Sequence, residues 1–475
     1  MTYRFLISAA HKSSGKTTVS IGLAAALRHR GLIVQTFKKG PDYIDPLWLG
    51  LAGGRACRNL DFNLSPADEL LAQFARHGSG SDVCLVEGNK GLYDGVDVTG
   101  RNSNAALAST LELPVVLVLD ARGMTRGIAP LVLGYQAFDR NIRIAGVILN
   151  RLGGARHEAK LRAALEHYTD VPVLGALTED GCLALVERHL GLMPSNEHGA
   201  ARTCIERIAE VIADSVDLPR LLEVTSGTPR PSLPEPAIPM PQPTVRIAIA
   251  RDRAFAFYYP DDLEALQRAG AELTFFDTLT DHKLPETDAL FIGGGFPECA
   301  MQELAGNTRL LEAIRGAIEG GMPTYAECGG LMYLARSLTW HGLTYRMAGV
   351  IAADAVMHDK PVGRGYVRLT ETDAHPWRAT PSAHAEIRAH EFHYSSLEKL
   401  DPRTVFAYRV VRGYGLNGTH DGIVHRNMLA SYSHLRSVGS CDWAARFVGF
   451  ARACAERHDS PQMPLPEEHR YAAIA

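Results

Sequence analysis

Arg4-Phe5-Leu6-Ile7-Ser8-Ala9-Ala10-His11-Lys12-Ser13-Ser14-Gly15-Lys16-Thr17-Thr18 lies at the N-terminus and decides how the first half of the chain folds. Arg4–Ser8 reads as a strand, and Thr18–Arg30 reads as a helix. The loop between them fits G-x-x-x-x-G-K-[ST], except that Ala10 replaces the first glycine. Such a loop turns tightly and points backbone N–H groups at phosphate oxygens. Lys16 would neutralise terminal phosphate charge, and Thr17 would hold Mg²⁺ through its hydroxyl. Ser13, Ser14, Gly15, Lys16, Thr17 and Thr18 are therefore the candidate nucleotide-binding residues. Ala10 tolerates a positive φ less well than glycine, so the turn should differ in detail.

Outward from this loop the rhythm is β-α-β. Ile33–Phe37, Val83–Glu87, Val115–Asp120, Ala145–Asn150 and Val173–Ala176 read as strands. Pro66–Arg76 and Ala155–Tyr168 read as helices between them. The strands are continuously apolar, as strands covered on both faces must be. The first half is thus expected to be a doubly wound, mostly parallel α/β sheet.

Seven of the 26 prolines fall between Ser226 and Thr244. That spacing forbids helix and favours extended polyproline geometry, so 226–243 reads as a semi-rigid linker. It separates a domain at 1–225 from a second at 244–460, with 461–475 as a loosely ordered tail. The α/β rhythm restarts with strands Val245–Ala250, Glu272–Phe276, Ala289–Ile292 and Pro323–Ala326 and helices Asp261–Ala269 and Thr308–Glu319. Further on, Thr, Tyr, Val and His enrichment points to antiparallel strands.

Composition excludes several classes. A chain of 475 residues is too long for one core. With 46% hydrophobic and 21% charged residues it is an ordinary globular protein. A net charge of −4 gives no general attraction for nucleic acid. No apolar run is long enough to span a membrane, and the N-terminus lacks signal-peptide regions. The eight cysteines are scattered singly, which fits neither a zinc site nor a disulfide scaffold. The expectation is a cytoplasmic enzyme acting on small molecules.

Two loops carry acids near the phosphate loop. Phe37-Lys38-Lys39-Gly40-Pro41-Asp42-Tyr43-Ile44-Asp45-Pro46 reads as a turn-rich loop after the second strand. Glu87 ends the next and begins Glu87-Gly88-Asn89-Lys90-Gly91-Leu92-Tyr93-Asp94-Gly95. Ligands collect at such strand ends. Asp42, Asp45, Glu87 and Asp94 are candidate Mg²⁺ ligands or water-positioning groups, the plain alternative being caps and turn formers. Thr17, Asp42 and Glu87 form the candidate metal set.

The second half holds a different constellation. Cys328 sits where strand Pro323–Ala326 runs into Glu327-Cys328-Gly329-Gly330-Leu331-Met332-Tyr333. A cysteine on a sharp strand-to-helix turn is a nucleophile elbow. Gly294, Gly295 and Gly329 could bring N–H groups to an oxyanion. His434, read as the end of a strand, is the candidate base, with His390, His393 and His425 as competitors. The other seven cysteines read as packing residues.

Taken in order, Gly-Lys-Thr, G-P-D-Y-I-D-P, E-G-x-x-G-L-Y-D-G, the Gly293–Glu298 loop, E-C-G-G-L-M-Y and Ala430–Leu435 resemble the cobyrinate a,c-diamide synthases. These belong to the wider cobyric-acid-type glutamine amidotransferases. The resemblance covers nearly the whole chain and implies a class I glutamine amidotransferase-like α/β domain after the P-loop domain. It implies that ATP with Mg²⁺ phosphorylates acetate carboxylates of a tetrapyrrole. Glutamine would be hydrolysed through a thioester on Cys328, and ammonia would pass to the acyl phosphate through a sheltered passage. Asp42, Asp45 and Glu87 match residues tied to phosphorylation and metal, Tyr43 and Ile44 match macrocycle contacts, and Asp94 matches a coupling residue. A homodimer is compatible with this reading.

Two departures stand out. Many triad amidotransferases carry an acid two residues after the histidine, and here Arg436 stands there. A dyad without an orienting acid should hydrolyse glutamine sluggishly. Lys39 and Lys90 occupy positions that are usually apolar in the corrin enzymes. With Lys38 they offer local positive charge to an anionic ring, so a sirohaem-type substrate stays open beside cobyrinate or hydrogenobyrinate. A partition-type ATPase with a non-catalytic second domain fits less well. Those enzymes place a lysine four residues before the Walker glycine, whereas Lys12 sits three before Gly15. A cobyric acid or CTP synthase type is a further alternative fed by the same glutaminase chemistry.

Overall fold

The computed structural model describes residues 2–179, 187–188, 191–192, 195, 201–227, 240–377 and 386–459. Most of the proline-rich stretch, the tail 461–475 and Cys182 lie outside the described residues.

The first sheet has seven strands: β1 (Tyr3–Ala9), β2 (Val34–Lys39), β3 (Arg58–Leu60), β4 (Val83–Glu87), β5 (Val115–Asp120), β6 (Ile144–Leu152) and β7 (Val173–Thr178). They lie in the order β3-β2-β4-β1-β5-β6-β7, and every pairing is parallel. Phe5, Leu6 and Ile7 are all fully buried, because helices cover both faces. Phe5 and Ile7 pack with Val19 and Leu23 of helix Lys16–His29 and with Ile205 and Ile208 of helix Ala201–Ser215. Leu6 points the other way, into a core with Val86, Leu117, Phe74 and Leu161. Each such side chain contributes about 1.5–3 kcal/mol on burial. Gly22 lets two helices close up, since a Cβ there would lie 2.4 Å from Ile212.

The strands expected in this half are all present; Val83–Glu87 and Val115–Asp120 match to the residue, and the others differ by one or two residues at one or both ends. One expectation is overturned. The stretch after β2 is only partly a loop, because helix Ile44–Gly53 starts inside G-P-D-Y-I-D-P. Asp42 accepts the N–H groups of Ile44 and Asp45 at 2.9 and 3.1 Å and so caps that helix.

The second sheet has nine strands. Ala271–Phe276, Val245–Ala250, Ala289–Ile292, Thr324–Glu327 and Met428–Ser431 run parallel in that spatial order. His420–His425, Val405–Arg412, Gly363–Glu371 and Ile387–His393 continue it antiparallel. The expected change from parallel to antiparallel pairing is therefore observed. Glu327 stands opposite Ser431 in the register, which sets the two chemistry-bearing loops side by side.

Charged groups lock the two sheets' domains together. Asp261 receives Arg58 at 2.9 Å, His77 at 3.0 Å and Arg436 at 3.1 Å. Burial alone would raise the Asp261 carboxyl, but these partners hold it well below the usual carboxylate range. Tyr366 donates to Asp61 at 3.1 Å, and the Gly439 N–H reaches Glu69 at 2.7 Å.

Candidate active site

The phosphate loop is shaped as its sequence requires. Ser13 and Gly15 adopt φ of 62° and 90°, a left-handed pair that turns successive N–H groups inward. Asn150 clamps the loop by donating to the Ser14 carbonyl at 2.9 Å. A Cβ on Gly15 would lie 2.2 Å from that amide, so glycine is required there. Lys16 is buried, and desolvation lowers its amine from the ordinary value. Ser14 donates to the His11 carbonyl at 2.9 Å, which braces the loop from within, and Thr18 continues the helix.

The acids converge on Thr17. Its hydroxyl donates to Glu87 at 2.8 Å and to Asp45 at 3.3 Å. Lys38 reaches Glu87 at 2.8 Å, bonds Asp45 and lies 3.7 Å from Asp42. Burial opposes charge on Lys38, but Asp45, Glu87 and Asp42 outweigh it and raise its pKa. Burial raises the carboxyl pKa of both Asp42 and Glu87. Lys38 is therefore not offered to an anionic ring, as the sequence suggested; it is the buried counter-ion of three carboxylates. One oxygen of Glu87 is buried without a hydrogen-bond partner among the described residues. Such an oxygen beside a threonine hydroxyl and further carboxylates suits a hard divalent cation.

Lys39 is buried and donates to Asn89 at 3.1 Å; desolvation lowers its pKa to about 8. Asp94 accepts the Gly91 N–H at 3.0 Å and closes the Glu87–Gly95 loop. Lys39, Lys90 and Asp94, with Arg364 from the second domain, border one cavity of about 260 Å³. Arg364 carried no motif in the sequence; only the fold brings it there.

Cys328 takes a φ of 48°, a strained conformation for a non-glycine residue. It is held by its N–H donating to the Ser431 carbonyl at 2.7 Å. The elbow needs glycines around it. A Cβ on Gly330 would meet the Ile292 carbonyl oxygen at 2.1 Å, and one on Gly294 would meet His434 at 2.8 Å. A Cβ on Gly329 would come within 3.0 Å of the Gly295 N–H nitrogen, so the three expected glycines do gather at Cys328.

His434 lies three residues past its strand rather than at its end, on a loop tied down by Asp421. The N–H groups of Tyr432 and Ser433 donate to Asp421 at 3.1 and 3.0 Å, and the Ser433 hydroxyl at 2.6 Å. His425 is elsewhere, 3.1 Å from Glu319 on the surface. His390 and His393 border the Cys328 cavity but stay neutral, because burial lowers both pKa values.

The expected lack of an orienting acid is corrected by Glu327. Its carboxylate lies 3.2 Å from His434 Nδ1 and accepts the Leu435 N–H at 2.9 Å and the Tyr325 hydroxyl. Burial opposes a charge on His434, yet its hydrogen bonds to Cys328 and Glu327 raise its pKa to about 10. The acid comes from the residue before the nucleophile, not from two residues after the base. Parallel pairing of Thr324–Glu327 with Met428–Ser431 is what allows it. Arg436, at the position of the usual acid, instead binds Asp261 and lies 4.3 Å above the Tyr259 ring.

The Cys328–His434 site opens into a cavity of about 230 Å³ also bordered by Asp42, Tyr43 and Ile44 of the first domain. Tyr43 stacks on Phe257 at 5.3 Å and packs at 4.3 Å from Tyr259. Its ring is thus committed to the Cys328 side. Among the described residues no helix is long and apolar enough to cross a membrane.

Comparison with known proteins finds a family match in each half of the chain. Residues 6–192 match the CobQ/CobB/MinD/ParA nucleotide binding domain, and residues 246–439 match the CobB/CobQ-like glutamine amidotransferase domain. A cobyrinate a,c-diamide synthase of Magnetococcus marinus is 46% identical over 456 residues, covering 94% of this chain and 97% of that protein. One from Methanosarcina acetivorans is 39% identical over 473 residues, covering 94% of each. One from Listeria monocytogenes is 39% identical over 437 residues, covering 91% of this chain and 96% of that protein. With a phosphate loop in one domain and a cysteine elbow in the other, the chain belongs to the cobyrinate a,c-diamide synthase family of glutamine-dependent ligases.

Proposed function

We propose that this enzyme converts the a and c acetate carboxylates of a cobyrinate-type tetrapyrrole into amides, using ATP and glutamine. The observation that carries this reading is that one first-domain loop, Pro41–Ile44, borders the Cys328 cavity while Pro41 and Asp42 also border the cavity holding Lys39, Lys90 and Asp94. The relatives' shared name supports the substrate class.

In the first domain, Ser13–Thr18 would cradle the ATP phosphates, with Lys16 against the terminal ones. Thr17, Asp42, Asp45 and Glu87 would hold Mg²⁺, which when bound neutralises phosphate charge. The ring carboxylate takes the terminal phosphoryl group, ADP leaves, and the carbonyl carbon gains phosphate as a leaving group. Lys39, Lys90 and Arg364, which border one cavity, would meet the remaining carboxylates, with Asp94 bracing the loop beside them.

In the second domain, His434 holds the proton shared with Cys328 and stands as an imidazolium beside the sulfur. The thiolate adds to the glutamine side-chain carbonyl, whose oxygen is met by N–H groups around Gly294, Gly295 and Gly329. The imidazolium returns its proton to the departing nitrogen, and ammonia is released. Water then cleaves the thioester to glutamate. Ammonia attacks the acyl phosphate, phosphate departs, and the amide forms with loss of one proton. Confinement matters because ammonia that reaches water is protonated and no longer nucleophilic.

Cys328→Ala tests the division of labour. Glutamine-dependent amidation should vanish while amidation with concentrated ammonium persists; loss of both would overturn the two-site reading. Offering cobyrinate, hydrogenobyrinate, sirohydrochlorin and sirohaem separately, with product masses read, tests the ring. Amidation of sirohaem-type rings alone would overturn the cobyrinate assignment and leave the chemistry intact.

A further inference from the structure

The cavity around Cys328 and the cavity around Lys39 and Lys90 have four bordering residues in common: Pro41, Asp42, His390 and Phe392. The side chains of Pro41 and Phe392 offer no acceptor, and Asp42 is already committed to capping helix Ile44–Gly53 and to the proposed Mg²⁺ set. His390 is different. Its Nδ1 is sealed from solvent and has no hydrogen-bond partner among the described residues. A buried polar atom left without a partner is costly, which favours a site where a transient ligand supplies the bond.

The position of His390 is fixed by the base itself. His390 N–H donates to the His434 carbonyl at 3.2 Å, and His434 N–H donates to the His390 carbonyl at 2.7 Å. Their ring centroids lie 6.4 Å apart. On its far side His390 meets Tyr366 edge-on at 6.1 Å, and Tyr366 borders the Lys39 cavity. The imidazole therefore stands between the atom that releases ammonia and the pocket that consumes it.

We propose that His390 is the hand-over residue for ammonia, its neutral imidazole accepting an N–H of the molecule as it leaves the Cys328 cavity for the Lys39 cavity. Burial, helped by charge on His434, keeps the ring unprotonated, so it offers ammonia an acceptor and no proton. This rests on the two-site function proposed above and assigns one residue to the step between the sites.

The test uses the full-length enzyme with cobyrinate, ATP and glutamine carrying heavy nitrogen in its side-chain amide, in a solution of ordinary ammonium. The wild type should place mostly heavy nitrogen in the product and form about one glutamate per amide. His390→Leu, which fills similar space without an acceptor, should lower the heavy fraction several-fold and raise glutamate per amide by the same factor. His390→Gln, which keeps an acceptor, should recover much of both. An unchanged heavy fraction in His390→Leu overturns the proposal. So does a fall in glutamate release with the fraction preserved, since that marks a merely structural support of His434. If His390→Leu does not fold, equal fractions in His390→Gln and His390→Phe overturn it, and a fall confined to the phenylalanine variant supports it. Failure of the wild type to amidate even with ammonium would instead sink the two-site reading.

Discussion

The Tyr43 ring of the nucleotide-binding domain lies 5.1 Å, centroid to centroid, from the His434 imidazole of the glutaminase domain. Asp42 and Asp45, which flank it in sequence, point the other way, toward Lys38. One short loop therefore touches the phosphate site with its acids and the glutaminase base with its aromatic ring.

Tyr43→Ala removes the one aromatic group of that loop packed on His434. The half-buried ring should cost about 2 kcal/mol of stability. In the wild type glutamine hydrolysis should rise with ATP and tetrapyrrole, and in Tyr43→Ala that response should be lost, because the ring joining the Asp42–Asp45 segment to His434 is gone. Glutamate release with and without the other substrates measures this. Tyr43→Phe, which keeps the ring, should retain the response.

Glu327→Gln keeps the shape of the side chain and removes its charge. His434 then loses the carboxylate that orients Nδ1 and stabilises the imidazolium. Glutamine-dependent kcat should fall roughly 100-fold, with ammonium-dependent amidation nearly intact. A fall of less than about threefold would mean that backbone bonds around His434 suffice to orient it.

The raised His434 pKa makes stability depend on pH in a defined direction. The folded protein binds this proton more tightly than the unfolded chain, whose histidine titrates near about 6.5. The stabilisation is complete below that value and is lost as pH rises through about 10. Thermal midpoints should decline across that window. Glu327→Gln lowers the folded-state pKa, so its contribution should be smaller and disappear at lower pH.

Arg436→Met breaks a buried ion pair and leaves Asp261 to Arg58 and His77. The loss should be about 3 kcal/mol, and the domain seam should loosen, because Asp261 keeps Arg58 and His77 but loses its partner from its own domain. Calorimetry reads the loss. Glutamate formed per amide should rise, since the shared cavity walls depend on this docking.

Much of this protein is written locally. The strand–loop–helix at Arg4–Arg30, the alternation of apolar strands with helices and the elbow at Cys328 are short-range patterns, and the structure has each of them. Two errors have physical causes. Gly-Pro and Asp-Pro signalled a turn, but Asp42 caps a helix whose first turn accepts Pro46. Lys38 read as free charge because burial and partners are tertiary properties. Lys38 meets Glu87 only because their strands are neighbours, with Lys38 opposite Glu87 in the register.

Both chemistries are legible in short stretches of sequence, because a phosphate loop and a nucleophile elbow are contiguous and carry their own backbone geometry. What supports each of them comes from long-range packing. Glu327 becomes the acid of His434 through strand pairing, and Arg436 is turned to the domain seam, where it pairs with Asp261 and reaches the Asn59 carbonyl of the first domain at 3.4 Å. His390 joins two cavities through its backbone pairing with His434. These are contacts between residues distant in the chain, and their energy comes from mutual burial, which no local pattern encodes.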